Sequence, residues 1–357
     1  MTGAFAADYP RHQIIRAGLE RVGVEVVSAA LPRGVSTTRL IVPLLRQRRT
    51  LRHCDVIFIT AFNPLLAPLI WALGHSLRKP VVLDYMVGLT DGIVEERHEG
   101  GGKAQFYRLV DRFNIQRLTS LTDTQAHRAA YQRLLGIAPT KMSVLPVGVY
   151  DDWFNPKSLP TDESILVQFF GTYIPFHGVD VILEAAHRLR DEAQIRFELI
   201  GRGQSYKAAV ARAEALKLQN VSFIDPVPPI ALADRVAQAA ICLGVFGARE
   251  KTGYVVPNKV FQCMAIGRPV ITADSPALRE YFSPGRDLVT VAPGDAAALA
   301  DAIHVLADSP GERERVGTAA AQRIREAYLP QHIGARLKAV LENVISPSLR
   351  SLEGAGG

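Results

Sequence analysis

The chain has 357 residues and a mass of 39.0 kDa, of which 48% are hydrophobic and 21% charged. This predicts about two folded domains and excludes disorder as the main state. The net charge is +6, but residues 1–158 carry 20 Lys and Arg against 13 Asp and Glu, so the whole basic excess lies in the front half. Aromatic residues do not interleave with these cations, so nucleic acid is not an expected partner.

Three widely spaced cysteines, Cys54, Cys242 and Cys263, form no CxxC or Cys/His cluster. This excludes a disulfide scaffold and a zinc site of the usual spacing, and it favours a reducing cytosol. No signal peptide is recognisable, and the longest apolar stretch is shorter than the roughly 20 residues of a membrane span. We therefore expect a soluble cytoplasmic protein. One basic cluster indicates either a solvated helix face or a surface for an anionic lipid or acceptor: Arg33, Arg39, Arg46, Arg48, Arg49 and Arg52.

Short apolar runs alternate with segments of helical period along the chain. The runs predict buried parallel strands at Asp55–Thr60, Pro80–Asp84, Lys141–Pro146, Ile165–Phe170, Arg196–Ile200, Val221–Ile224, Ile241–Val245 and Pro269–Thr272. Helical patterns lie at Val179–Arg190, Ser205–Leu218, Pro229–Ala239 and Ala296–Leu306. This alternation predicts an α/β protein with doubly wound parallel sheets. Its first strand is missing, extremely short or lost from the assigned start, because a glycine turn follows Met1 almost at once.

A polar, proline-containing segment at residues 151–163 predicts an interdomain linker. We expect a first Rossmann-like domain over 1–158 and a second over 159–329. A last helix is predicted at 330–347, after the second sheet is complete.

Two strand-to-helix loops have the composition of phosphate sites. Phe169–Gly178 contains two glycines and His177 ahead of an amphipathic helix, whose N-terminus favours an anion. Ile200–Gly203 is a weaker fragment of the same pattern, since any such turn favours glycine. His177 is equally well explained as an ordinary polar loop residue.

A third segment, Gly253–Thr272, predicts a short helix that carries Lys259 and Gln262. Residues three apart share one helix face, so both side chains can meet one ligand. A cation for phosphate and an amide for hydroxyls suit a nucleotide sugar. The alternative is an ordinary helix with solvent-facing polar residues.

Together these segments resemble the GT-B glycosyltransferases of the retaining, family 4 type. Four motifs follow in that family's order: V-x-P-x-G-V and F-x-P within Lys141–Pro156, then Phe170–Gly178, Leu199–Gly203 and Asn258–Ile271. The resemblance implies two Rossmann-like domains that face a cleft, and a last helix that returns to the first domain. It also implies a nucleotide-sugar donor bound mostly by the second domain, with no metal ion and no cofactor.

The resemblance implies donor-binding roles for Gly3, Gly171, Thr172, Gly201, Arg202, Glu250, Gly253, Tyr254, Lys259 and Gln262. Thr172 and His177 stand where the family often has Arg and Lys for the diphosphate. Gln262 replaces the Glu that binds the ribose, and the companion Glu falls at Tyr254 or, with a four-residue insertion, at Glu250.

The family's first-domain histidine falls at Met86, which can make no hydrogen bond. Asp84 and Asp91 flank it and are the polar groups best placed for the acceptor or the transferred sugar, with Asp123 ending a further strand towards the same cleft. The expected catalytic set is Asp84, Asp91, His177 and Lys259. In the same-face mechanism that the resemblance implies, the departing diphosphate itself takes the acceptor's proton.

The expected function is retaining transfer of a sugar to a glycan or lipid-linked acceptor in cell-envelope or polysaccharide biosynthesis. The basic front half favours an anionic membrane surface at the cytoplasmic face. Two alternatives remain: a GT-B nucleotide-sugar epimerase, which Met86 disfavours, and a non-catalytic or weakly active nucleotide-sugar-binding homologue.

Overall fold

The computed structural model describes residues 1–6, 9–95, 100–160 and 164–353. The chain divides into two compact units: Met1–Pro146 with the chain from Pro330 onward, and Val147–Leu329. Each unit contains a six-stranded parallel sheet with helices between successive strands, which confirms the predicted α/β class with parallel sheets. Residues 161–163 of the predicted linker lie outside the described residues.

The sheet of the first unit has the strand order β2-β1-β3-β4-β5-β6. Its strands are β1 (Thr2–Gly3), β2 (Ala29–Ala30), β3 (Ile57–Ile59), β4 (Val81–Asp84), β5 (Thr119–Thr122) and β6 (Met142–Val144). The first strand is thus present but only two residues long. It belongs to the sheet because Thr2 pairs with Ala29 on one side and with Ile59 on the other.

Six helices connect these strands: α1 (Pro10–Arg21), α2 (Ile41–Arg46), α3 (Arg48–Arg52), α4 (Ala67–Ser76), α5 (Gly101–Arg117) and α6 (Gln125–Leu135). The connection from β1 to β2 runs in one direction along the sheet, and all later connections run in the other. Since such crossovers are right-handed, α1 covers one face of the sheet and α2 to α6 cover the opposite face.

The sheet of the second unit has the order β12-β11-β10-β7-β8-β9. Its strands are β7 (Ile165–Phe170), β8 (Ile195–Ile200), β9 (Val221–Ile224), β10 (Ile241–Leu243), β11 (Val270–Ala273) and β12 (Val289–Val291). Its helices are α7 (Val179–Arg188), α8 (Tyr206–Ala215), α9 (Pro229–Val236), α10 (Asn258–Ala265), α11 (Pro276–Arg279), α12 (Ala296–Asp308) and α13 (Pro310–Ala327). The buried apolar core lies between α7, α8 and α12 and this sheet.

The last helix, α14 (Pro330–Glu353), packs against α1 within the first unit and continues beyond the predicted end at residue 347. The two helices touch at glycines. A Cβ atom on Gly18 would lie 2.3 Å from the carbonyl oxygen of Pro330, and one on Gly334 would lie 2.0 Å from the carbonyl oxygen of Gly18. Larger side chains at these positions would force the helices apart.

The segment that follows Pro146 packs entirely on the second unit. The Val149 N–H donates to the Tyr328 carbonyl at 2.9 Å, the Lys157 N–H donates to the Ile266 carbonyl at 3.0 Å, and Trp153 stacks on Phe170. The division therefore falls between residues 146 and 147, ahead of the predicted boundary at 158/159. Among the helices of the described residues, none is long and apolar enough to cross a bilayer.

Candidate active site

Two glycines bring the loops after β7 and β8 into contact in the second unit. Gly201 has a φ of +118°, and a Cβ atom there would lie 2.1 Å from the carbonyl oxygen of Gly171. The Gly171 N–H donates to the Ile200 carbonyl at 3.0 Å. Only glycine permits this approach, and the contact lies at the carboxyl ends of the strands, where open parallel sheets bind ligands.

Lys259, in the first turn of α10, reaches the same point from a different element. A Cβ atom built on Gly171 would lie 2.8 Å from Lys259 Nζ and 2.9 Å from His177 Cε1, so the two side chains converge there. The Lys259 side chain is buried, and its Nζ lies 3.8 Å from the centre of the Phe169 ring. In the part of the chain that the structure describes, this Nζ makes no hydrogen bond.

Burial perturbs both titratable groups of this cluster. It lowers the pKa of Lys259 well below its usual value. Burial, and after it the charge of Lys259, lower the pKa of His177 to about 2, so the imidazole is neutral at physiological pH. The Nδ1 atom of His177 also has no hydrogen-bond partner among the described residues. Two buried nitrogens that face one glycine, with no counter-charge, suit an anionic ligand.

The other donor-binding residues predicted for this unit differ in their exposure. Gln262 and Tyr254 are buried, and Gln262 follows Lys259 by three residues on α10. Glu250 is exposed in the short 3-10 turn Glu250–Gly253, and Thr172 is exposed after Gly171. Gly253 has open space around its Cα, so no steric constraint requires glycine there.

Arg202 points into solvent and is tied to partners of its own. Its Nε donates to Asp225 Oδ1 at 2.6 Å, and its guanidinium lies 4.4 Å from the centre of the Tyr206 ring. The Arg202 side chain is 53% exposed. It therefore does not belong to the buried group formed by Gly171, His177 and Lys259.

In the first unit, Gly3 ends β1 in a tight turn with a φ of +132°. A Cβ atom there would lie 2.7 Å from Asn63 Nδ2, and Asn63 Oδ1 accepts a hydrogen bond from the Ala4 N–H at 2.8 Å. The predicted glycine loop is therefore present, and Asn63 holds it against the end of β3.

Asp84, predicted as a catalytic residue, forms a fully buried ion pair with Arg11. The guanidinium donates from Nε to Oδ2 at 2.8 Å and from Nη2 to Oδ1 at 2.8 Å, and neither side chain is exposed. Arg11 also donates to the carbonyl of Pro146 at 3.3 Å. Since both carboxylate oxygens of Asp84 are engaged, this residue fastens α1 to β4, and the first unit offers no exposed carboxylate at this position.

Asp91 and Asp123 lie on either side of His127, a residue that the sequence argument did not select. His127 Nδ1 lies 2.6 Å from Asp123 Oδ1, and His127 Nε2 lies 3.8 Å from Asp91 Oδ2. Burial by itself lowers the pKa of His127, but the two carboxylates outweigh it and raise this pKa to about 9. The imidazole is therefore a cation at neutral pH. The available sequence signal was its spacing of four residues from Asp123, which precedes α6 and its N-cap Thr124.

Another buried carboxylate, that of Asp111, anchors the segment that follows β4. Asp111, on α5, accepts hydrogen bonds from the Leu89 N–H at 3.1 Å and the Thr90 N–H at 2.6 Å, and also from the Tyr85 hydroxyl. Burial raises the pKa of Asp111 although these donors oppose the shift. The backbone around Met86 is thus anchored at several points, next to the turn that contains Asp91.

Comparison with known proteins shows that the chain is similar to glycosyltransferases. Residues 181–339 match the sequence model of a family described as Glycosyl transferase-like. The chain is 27% identical over 226 residues to a D-inositol 3-phosphate glycosyltransferase of Kribbella flavida, covering 58% of this chain and 51% of that protein. It is 25% identical over 213 residues to an MMP alpha-(1->4)-mannosyltransferase of Mycolicibacterium hassiacum, covering 59% and 50%. The chain thus spans about half the length of these curated relatives.

Among solved structures, HepE of Anabaena in complex with UDP and glucose superposes with a TM-score of 0.69 at 17% identity. The superposition covers 91% of this chain and 88% of HepE. At this identity the similarity shows the fold, which is GT-B in both proteins.

Proposed function

Because the chain is a GT-B protein of the glycosyltransferase family 4 type, we propose that it transfers a sugar from a nucleoside-diphosphate donor to a glycan or lipid-linked acceptor with retention of anomeric configuration. The acceptor belongs to cell-envelope or polysaccharide biosynthesis at the cytoplasmic face of the membrane. UDP is the first nucleotide to test, since HepE was solved with it.

The single observation that carries this proposal is the buried amine nitrogen of Lys259, which has no hydrogen-bond partner among the described residues and shares the space beside Gly171 with His177. A buried cation without a counter-charge lowers stability unless a ligand supplies the charge. A diphosphate supplies it, and the site lies at the carboxyl ends of β7 and β8, where open parallel sheets bind ligands.

The residues then have distinct roles in the reaction. The bond between the sugar's anomeric carbon and the β-phosphate oxygen breaks, and a bond from the same face to the acceptor oxygen forms. Negative charge develops on the departing diphosphate, where Lys259 and one N–H of the neutral His177 stabilise it. That diphosphate takes the acceptor's proton. Because Lys259 supplies the positive charge, we propose that the reaction needs no metal ion.

Gln262 is assigned to the ribose hydroxyls, one helical turn after Lys259. Asp91, held by His127, is assigned to the acceptor side. Asp84, predicted as catalytic, is instead a positioning residue, because its ion pair with Arg11 engages both carboxylate oxygens.

The test is a thermal-shift series with UDP, GDP, ADP and dTDP and their common sugars, on the wild type and on Lys259→Ala and Gln262→Ala. One nucleotide should raise the melting temperature, as expected for about 2.7 kcal/mol of stabilisation at a hundred times Kd. Lys259→Ala should abolish this shift and Gln262→Ala should reduce it. Lys207→Ala, which removes an exposed lysine of α8 in the same unit, is the matched control and should keep the full shift.

Two results would overturn parts of the proposal. No shift with any nucleotide would remove the donor site altogether. A selective shift without sugar transfer to membrane-extracted or polysaccharide acceptors would favour the non-catalytic nucleotide-sugar-binding alternative.

A further inference from the structure

Exposed apolar side chains are concentrated in the first unit. Among the described residues, ten of the large apolar side chains that are exposed belong to this unit and one, Val305, to the second. Six of the ten lie on three helices of one sheet face, and we call them the apolar face: Ile41, Val42 and Leu45 on α2, Leu69 on α4, and Phe106 and Leu109 on α5.

The sheet topology places these three helices side by side. The right-handed connections put α2, α4 and α5 on the same side of the sheet, α2 packs against α4, and α4 packs against α5, where Trp71 meets Phe113 edge to face at 5.3 Å. The inward sides of the helices, such as Leu44, Ile70 and Ile115, fill the core. The apolar face is therefore the outer side of this layer, where a surface helix ordinarily carries polar residues.

Positive charge lies next to the α2 end of this face. Arg46 ends α2, and Arg48, Arg49 and Arg52 follow at once on α3, all exposed. The sequence contains no Asp or Glu between Glu25 and Asp55. Basic residues around outward apolar side chains are the chemistry that binds an anionic lipid surface, where cations meet headgroups and apolar side chains enter the boundary with the acyl chains.

We propose that the apolar face and these arginines form the docking surface of this protein on a bilayer that contains anionic phospholipid. This inference rests on the proposed function, since it explains how the enzyme would reach a lipid-linked acceptor. A second copy of the chain is the less suitable occupant, because a two-fold interface would bring together the arginines of both copies while α2, α3 and α4 offer no Asp or Glu to pair with them.

The experiment is co-sedimentation of the full chain with vesicles of phosphatidylcholine alone or with 30% phosphatidylglycerol, without nucleotide. We expect binding only to the anionic vesicles, and weaker binding at high salt because salt screens the charges. Val42→Ser/Leu45→Ser should weaken binding about tenfold, by removing apolar area. Arg48→Gln/Arg49→Gln should weaken it by a factor of about 20, since each arginine near an anionic surface contributes about fivefold.

Matched controls come from the second unit. Val305 and Val42 are both 57% exposed, so Val305→Ser changes the same side chain at the same exposure and should leave vesicle binding unchanged. Arg188→Gln/Arg190→Gln likewise removes two exposed arginines and should bind as the wild type does.

Equal binding to both vesicle types, or wild-type binding by Val42→Ser/Leu45→Ser, would overturn the inference. So would size-exclusion chromatography showing a dimer that this variant converts to a monomer, since the face would then bind a second copy. The UDP thermal shift of every variant should match the wild type. Loss of vesicle binding is thereby distinguished from loss of nucleotide binding. Lys259→Ala tests nucleotide binding and should leave vesicle binding intact.

Discussion

In the first unit the buried cations Arg11 and His127 meet the carboxylates of Asp84 and Asp123. In the second unit the buried Nζ of Lys259 lies over the Phe169 ring but has no hydrogen-bond partner among the described residues. Both arrangements lie beyond the carboxyl ends of a parallel sheet, so topology alone does not distinguish them. What differs is whether the fold itself supplies the counter-charge.

This difference separates two uses of a buried charge. A pair whose hydrogen bonds are satisfied inside the unit positions elements, as Arg11 and Asp84 join α1 to β4. A cation left without a partner costs stability in the free protein, and a ligand of opposite charge recovers that cost on binding. Variants that remove the buried basic group, its carboxylate or both distinguish these two uses.

Asp84→Ala should have the largest effect, because it leaves the guanidinium of Arg11 buried without its carboxylate. We expect the free energy of unfolding to fall by about 3–5 kcal/mol, measured by urea denaturation. The double variant Arg11→Met/Asp84→Leu, which replaces the pair by apolar side chains of similar size, should recover most of this loss. A single-variant loss below about 1 kcal/mol would show that the pair does not hold the unit together.

His127 should make the first unit sensitive to alkaline pH. Its pKa is raised in the folded state to about 9 from an unfolded value of 6.5, so its stabilisation is fully present below pH 6.5 and is lost as pH rises through 9. The shift corresponds to about 3 kcal/mol. Melting temperatures measured from pH 6 to 10 should fall along this range for the wild type, with a much shallower fall for His127→Gln.

His177 provides the control for this experiment, because its pKa is shifted in the opposite direction. It is lowered to about 2, so His177 destabilises the folded state as pH falls below 6.5. His177→Gln should therefore change the acid side of the profile and leave the alkaline side as in the wild type. Identical alkaline profiles for His127→Gln and the wild type would refute the charged state assigned to His127.

Lys259→Met should both stabilise the free protein and abolish nucleotide binding. The methionine keeps the length and the apolar stem while removing a buried amine that has no hydrogen-bond partner among the described residues, so we expect the free energy of unfolding to rise by about 1–3 kcal/mol. The UDP thermal shift should disappear. Lys207→Met, at an exposed position of α8, should change neither quantity. A destabilised Lys259→Met would mean that the lysine has a structural role within the unit.

The elements that could be read from the sequence are those with continuous apolar runs. β7 and β9 have the predicted bounds; β7 is an almost fully buried run, whereas β9, at the edge of the sheet, is only half-buried. β1 and β2 have two residues each and no pattern of their own. They are strands only because neighbouring strands pair with them, which is a property of the assembled sheet.

The candidate site divides in the same way. The order of the glycine loops and of the helix with Lys259 was sufficient to predict that Gly171, His177 and Lys259 serve one ligand, and the structure places them together. The partner of Asp84 lies 73 residues away in the sequence, and no local pattern indicates it. Carboxylates selected only for their place after a strand therefore need a structure before a role can be assigned.

Arg202→Ala should have the smallest effect, although the motif that contains it suggests phosphate binding. The side chain is 53% exposed and already paired with Asp225, which is itself 73% exposed. Exposed pairs contribute little to stability, so we expect a change below about 1 kcal/mol. We also expect less than about a threefold loss in UDP affinity, measured by calorimetry beside Lys259→Ala, because the buried cation already neutralises the diphosphate.

A loss in Arg202→Ala as large as that in Lys259→Ala would reverse this argument. The guanidinium would then have to leave Asp225 and bind the diphosphate, and Asp225→Ala, which frees Arg202 from its ion pair, should strengthen UDP binding. If Asp225→Ala has no effect and Arg202→Ala retains its affinity for UDP, the buried Lys259 is the residue that binds the diphosphate.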